Sequence, residues 1–213
     1  MHRESLVGLL AIALASSLWA AESTSWDFEA ATVGQSPQGW IAAKTGEGPG
    51  SVWQVAEDPK APAGPKVLMQ TSSEGPKPLF NLCVAEQSRF ADLDLTVSLK
   101  AVRGKIDQGG GPLWRYQDPG NYYVCRVNPL EGNFRLYKLV DGKRVQLASA
   151  DADTEQGQWS TIRVVHKGNY IQCYLDGQKL LEATDDALAQ PGRVGLWTKA
   201  DAVTAFDALR VAP

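Results

Sequence analysis

Twice in the second half of the chain, an Asp-Gly pair stands between two runs of alternating apolar residues. Asp141-Gly142 separates Leu136–Val140 from Arg144–Ala148, and Asp176-Gly177 separates Tyr170–Leu175 from Gln178–Leu181. The tight turn that joins two antiparallel strands needs positive φ at both central positions, which Gly supplies freely and Asp tolerates. Two β-hairpins are therefore predicted. Lys167-Gly168-Asn169 joins Thr161–His166 to the strand that starts at Tyr170 in the same manner. Val194–Thr198 and Thr204–Val211 read as closing strands. In the first half, Leu95, Val97 and Leu99 alternate with Thr96, Ser98 and Lys100, the period of a half-buried strand. Ser51–Val55, Val67–Gln70 and Leu79–Val84 are shorter strands between Gly- and Pro-rich turns, and Trp26-Asp27-Phe28-Glu29 opens the series. Only Asp185–Leu188 suggests a helical turn. Many short strands with regular turns pack as a two-sheet sandwich or a barrel, so the fold is all-β.

The chain has 213 residues and a formal net charge of −3. That length suits one sandwich domain, and the charge argues against a nucleic-acid partner, which calls for a basic face. His2 and Arg3 precede an apolar run, Leu6–Leu18, and the small residues Ala20 and Ala21. This is the pattern of a cleaved signal peptide over residues 1–21, leaving 22–213 as one domain in the periplasm or outside the cell. No later segment has the length and apolarity of a helical membrane span. Cys83, Cys125 and Cys173 are odd in number and widely spaced, unlike a disulfide framework or a zinc site. Cys125 and Cys173 read as small core residues, with a single bridge between them as the alternative in an oxidising compartment.

Several stretches carry a likeness to a known family. Trp114-Arg115-Tyr116-Gln117-Asp118-Pro119-Gly120-Asn121-Tyr122-Tyr123 leads to Arg126-Val127-Asn128. Gly157-Gln158-Trp159, Tyr174-Leu175-Asp176-Gly177, Gly192–Asp201 and Phe206-Asp207 follow downstream. Together they resemble the exported bacterial laminin-G-like sandwiches labelled family 16 glycoside hydrolase-like or 3-keto-disaccharide hydrolase domains, from Trp26 to Val211. The resemblance implies a concanavalin-A-like jelly roll: two antiparallel sheets, one concave, with saccharides held on the concave face in the sugar-handling relatives. It also implies three functions. The first is carbohydrate recognition or processing, the second is hydrolysis of 3-keto-glycosides, and the third is a non-catalytic module for an envelope protein. Gly109–Arg115 stands where the keto-sugar group tends to show an Asn-Ser-Gly stretch before an Arg.

The residues constrain these functions unequally. Retaining glycosidases place two carboxyl groups about 5 Å apart. The family-16 strand Glu-x-Asp-x-x-Glu has no counterpart here. Asp151-Ala152-Asp153-Thr154-Glu155 is the nearest approach, and it reads as a solvated loop. A Gly-x-Ser-x-Gly elbow is missing as well, and His166, in a strand, reads as structural. An enzyme on this chain would instead use a Lys, Tyr or Asp base that leaves no linear motif.

Sugar sites mix aromatic faces with charged and amide groups. Strand alternation puts Tyr122, Val124 and Arg126 on one side and Tyr123, Cys125 and Val127, the expected core set, on the other. Arg115, Tyr122, Arg126, Trp197, Lys199 and Asp201 are the candidate saccharide contacts. Trp26, Trp40, Trp53 and Trp159 read as core or corner residues. Glu29 and Asp207, on the expected first and last strands, are the candidate ligands for a structural Ca²⁺, by likeness to related jelly-roll sugar-binding modules.

Overall fold

The computed structural model describes residues 23–213, so the predicted signal peptide, 1–21, lies outside the described residues. One sheet of eight strands contains β1 (Thr24–Trp26), β3 (Trp53–Glu57), β4 (Lys66–Gln70), β6 (Leu93–Arg103), β11 (Trp159–Lys167), β12 (Tyr170–Leu175), β13 (Gln178–Thr184) and β15 (Val203–Ala212). Its order is β13-β12-β11-β6-β15-β4-β3, with β1 paired to β15. The other, of seven strands, contains β2 (Trp40–Thr45), β5 (Phe80–Ala85), β7 (Gly111–Asp118), β8 (Asn121–Asn128), β9 (Asn133–Val140), β10 (Lys143–Asp151) and β14 (Arg193–Lys199), in the order β10-β9-β8-β7-β14-β5-β2. Every ladder within the sheets is antiparallel. The two sheets stack as the predicted jelly-roll sandwich. Among the described residues no helix is long and apolar enough to cross a membrane, and Asp185–Leu188 forms a turn rather than a helical one.

The hairpins form where the Asp-Gly pairs predict them. Asp141 and Gly142 have φ of 51° and 73°, and Asp176 and Gly177 have 47° and 84°. Two elements differ from expectation. The first strand ends at Trp26, because Phe28 turns to φ 61° and folds its ring against Trp40, 5.6 Å between centroids. Trp40–Thr45, whose alanines and lysine carry little strand signal, pairs along β5 as the sheet edge.

The core between the sheets takes one face of each. From the larger sheet come Leu95, Val97, Ile162, Val164, Cys173 and Phe206, and from the smaller Trp114, Tyr123, Cys125, Val127, Leu136 and Leu196, all buried. The split within β8 follows the predicted alternation. Cys125 and Cys173, free thiols, meet across this core, and burial followed by their mutual contact raises the Cys125 pKa.

One polar link crosses the same core. His166 on β11 is fully buried and accepts at Nδ1 the indole N–H of Trp114, 2.8 Å away, while its edge meets the Tyr123 ring. Its Nε2 has no partner. Burial first, and the Arg115 charge second, push its pKa down to about 4. The neutral ring is thus the form that the fold accepts. Between the ordinary value of about 6.5 and pH 4 the unfolded chain binds a proton that the folded chain refuses, so stability falls as pH falls through this window. The loss expected of this one group is of the order of 3 kcal/mol. Urea denaturation at pH 7 and pH 4.5 should resolve it, and His166→Gln should flatten that part of the pH dependence.

Candidate functional site

The smaller sheet buries its second face as well. Phe80, Leu82, Leu113, Tyr122, Val124, Tyr137, Leu139 and Trp197 form a separate apolar cluster on the side away from the main core. Side-chain distances show how this face is covered. The Arg144 guanidinium of β10 lies 4.6 Å from the Tyr137 ring centre on β9 and 4.9 Å from that of Phe80 on β5. Four strand spacings separate β9 from β5, about 19 Å in a flat sheet, yet one guanidinium touches both rings. The sheet is therefore curled and this face is concave. At the other edge, the Thr45 hydroxyl at the end of β2 donates to Pro119 O in the β7–β8 turn and lies 2.9 Å from the Tyr122 hydroxyl of β8. The two edges thus close over the face, leaving a mouth lined by Thr45, Lys77, Phe80, Arg144 and Lys199 around a cavity of about 430 Å³.

Beside this mouth lies a buried polar chain. Lys199 Nζ donates to Asp107 Oδ2 at 2.6 Å, and Asn128 Nδ2 donates to Asp107 Oδ1 at 2.9 Å. Arg126 donates to Glu131 at 2.8 Å and to the Asn133 side chain, and Arg135 reaches the same Glu131 carboxylate at 3.3 Å. Burial raises the Asp107 pKa, and the Lys199 ammonium offsets only part of that rise. Asp107 is held by Asp201, whose carboxylate accepts the backbone N–H groups of Lys105 (2.7 Å), Ile106 (3.0 Å) and Asp107 (2.9 Å). Burial alone would raise the Asp201 pKa, but these three donors outweigh it and hold the group below the ordinary carboxylate value.

The glycine run ahead of β7 completes the arrangement. A Cβ at Gly111 would stand 2.0 Å from Cys125 O, and one at Gly110 would stand 2.3 Å from Trp197 O. Only glycine allows the chain to pass between β8 and β14 and deliver Asp107 to Lys199.

The six predicted contacts fall into three groups. Lys199 reaches the mouth. Trp197 and Tyr122 lie on the concave face as its buried floor, 1% and 0% exposed. The Trp197 indole N–H has no hydrogen-bond partner there, and burial raises the Tyr122 pKa. Arg126, 3% exposed, and Asp201 serve the polar chain, Asp201 as a loop anchor.

Arg115 departs from strand alternation, which would put it beside Leu113 on the outer face as a contact. The ladder slips between Trp114 and Asp118 and Arg115 takes φ 47°. Its side chain is turned toward the loops, where Nε, Nη1 and Nη2 donate to the carbonyls of Ala91, Leu188 and Gly168 at 2.8, 3.0 and 2.8 Å. No local pattern in the sequence marks Phe80, Asp107 or Arg144, because the contacts of Phe80 with Arg144 and of Asp107 with Lys199 join distant parts of the chain. The Gly triplet was the one local signal.

Glu29 and Asp207, the expected calcium ligands, lie near each other and each accepts backbone donors: Glu29 the Lys66 N–H, and Asp207 those of Ala63 and Ala208. The backbone carbonyls of Glu29 and Ala31 both accept from the Lys66 ammonium at 2.8 Å. Among the described residues no group of three or more His, Cys, Asp and Glu gathers as a metal site. Asp151, Asp153 and Glu155 are solvated, as predicted.

The sequence profile of 3-keto-alpha-glucoside-1,2-lyase-like domains matches residues 27–212. The chain belongs to this family. No curated protein matches it in sequence. Among solved structures, the chain is similar to the carbohydrate-binding module CBM66 from Bacillus subtilis. The TM-score is 0.65 at 17% identity, over 82% of this chain and 96% of that one. The cellulose induced protein Cip1 superposes with a TM-score of 0.61 at 12% identity, covering 89% of this chain and 96% of its own. A Bacillus subtilis protein of galectin-like fold follows at 0.57 and 12%, covering 81% of this chain and 88% of its own. At these identities the likeness establishes the shared sandwich.

Arg115 and Asp201 are expected to act through stability. Arg115→Met removes a buried guanidinium and strips three loop carbonyls, that of Leu188 buried, of their donor, and should cost about 3 kcal/mol, while Asp201→Asn should cost about 2 kcal/mol. Both values are readable from urea midpoints at pH 7.

Proposed function

We propose that this domain recognises or processes carbohydrate, with the saccharide seated at the mouth of the concave sheet. The observation that carries the reading is the meeting, around one cavity, of the Phe80 ring, the Arg144 guanidinium over it and Lys199, whose ammonium is bonded to the buried Asp107 behind it. Sugar sites combine such ring faces with charged donors that orient hydroxyls. Membership of the keto-glucoside lyase-like family supports the same class of ligand. Of the residues expected to touch sugar, Lys199 contributes directly in this reading, and Trp197 and Tyr122 shape the floor beneath it. The N-terminal run Leu6–Leu18 supports export to the periplasm or beyond.

A catalytic version of the reading is favoured by Asp107. A ketone at C3 of a glucoside acidifies the proton on C2. A base that removes that proton lets the electron pair form the C1–C2 double bond as the C1–O bond breaks, and the leaving oxygen takes a proton. Asp107, its pKa raised by burial, and the Lys199 ammonium bonded to it form an acid–base pair in which Lys199 lines the mouth and Asp107 lies buried behind it. Positioned acid–base groups contribute about 10²–10⁴-fold.

A glycan panel run beside elimination and hydrolysis assays on native and 3-keto disaccharides tests both versions. Turnover by the wild type is expected to fall at least about 100-fold in the double variant Asp107→Asn/Lys199→Met. That variant removes both charges together and leaves the Asn128 bond an acceptor, so its melting temperature should stay close to the wild type. Binding without turnover would confine the domain to recognition, and no response to any glycan would overturn the proposal.

A further inference from the structure

The mouth of the concave face is strongly cationic. Three of its eight lining residues, Lys77, Arg144 and Lys199, are basic, and none is acidic. The chain as a whole has more acidic than basic residues, 24 against 21, so the concentration is local. Of the three, only Lys199 has a carboxylate partner among the described residues, Asp107 at 2.6 Å. An ammonium has three donors, so two remain on Lys199. Arg144 is exposed, yet its guanidinium carbon packs against the Tyr137 and Phe80 rings at 4.6 and 4.9 Å from their centres. Packing against two rings holds the group at the mouth, and it has no carboxylate partner among the described residues. A guanidinium edge is a fork that matches an anionic group with two oxygens, and a side chain already packed in place lowers the ordering cost of binding one.

We infer that the saccharide taken at this mouth is acidic, its anionic group meeting the guanidinium edge of Arg144 and flanked by Lys77 and Lys199. The inference rests on the carbohydrate reading and adds the substrate class to it. The fork fits a carboxylate, as in a uronic acid, and a sulfate ester presents the same paired oxygens.

Isothermal titration of the full chain with three trisaccharides of matched linkage, neutral, uronate and sulfated, at low and moderate salt tests this. At least one acidic sugar is expected to bind about tenfold or more tighter than the neutral one at low salt, with the margin shrinking as salt rises. The double variant Lys77→Gln/Arg144→Gln, both at exposed positions, should keep the melting temperature and lose the preference. Preference for the uronate or for the sulfated sugar supports the inference and identifies the anion. Equal binding of the neutral and acidic sugars, or a preference that survives in the variant, overturns it and leaves the carbohydrate reading standing. If none of the three binds and the wider glycan panel is also silent, both fall.

Discussion

Strand β8 has no face turned to water. Tyr123, Cys125 and Val127 belong to the core between the sheets, while Tyr122 and Val124 belong to the second cluster. A sheet that is apolar on both sides has to cover its outer face, and with only two sheets in the domain it does so by curling on itself. Burying a large side chain is worth about 1.5–3 kcal/mol, and the outer cluster contains ten buried residues, so the drive to curl is considerable. The contact of Thr45 with the β7–β8 turn and the Arg144 bridge between Tyr137 and Phe80 follow from that curl. So does the mouth, which is the place where the closure stops.

The polar groups near the mouth depend on the same closure. Asp107 is 2% exposed and would be costly to keep there as a lone charge. Lys199 and Asn128 pair it, and Asp201 binds the backbone on its N-terminal side. Asp201 thus supports the site without facing a ligand, and Arg115 does similar work at the opposite end of the sheet by gathering three loop carbonyls. Of the charged residues expected as contacts, Arg115 in β7 and Asp201 in the β14–β15 turn are fasteners. The distinction lies in their partners: groups saturated by backbone atoms hold loops, whereas Arg144 and Lys199 keep donors to spare.

Lys66 is a fastener of a related kind. Glu29 and Asp207 come to the same loop region, as their places near the chain ends suggested, and the Lys66 ammonium donates to the carbonyls of Glu29 and Ala31. It thereby ties the segment after β1 to β4, while the first and last strands join through their own ladder, Thr24–Trp26 against Leu209–Val211. Family membership establishes what kind of domain this is, and such local pairings decide how this member closes its corners.

By itself the sequence determined the all-β sandwich, both Asp-Gly hairpins, the inward set of β8 and the burial of Cys125 and Cys173. All of these rest on local rules: a turn needs two positive φ values, and alternation sends neighbouring side chains to opposite faces. What alternation cannot state is whether an outward face meets water. Alternation placed Tyr122 on the face opposite the core, where Trp197 joins it, yet the curl of the sheet made both a floor. A slipped ladder at Arg115 reversed one side chain outright. The mouth itself joins Thr45, Lys77, Phe80, Arg144 and Lys199, residues from four regions of the chain. Only the tertiary structure could select them, because the force that gathers them is the closure of a two-sided apolar sheet and not any pattern along the strand.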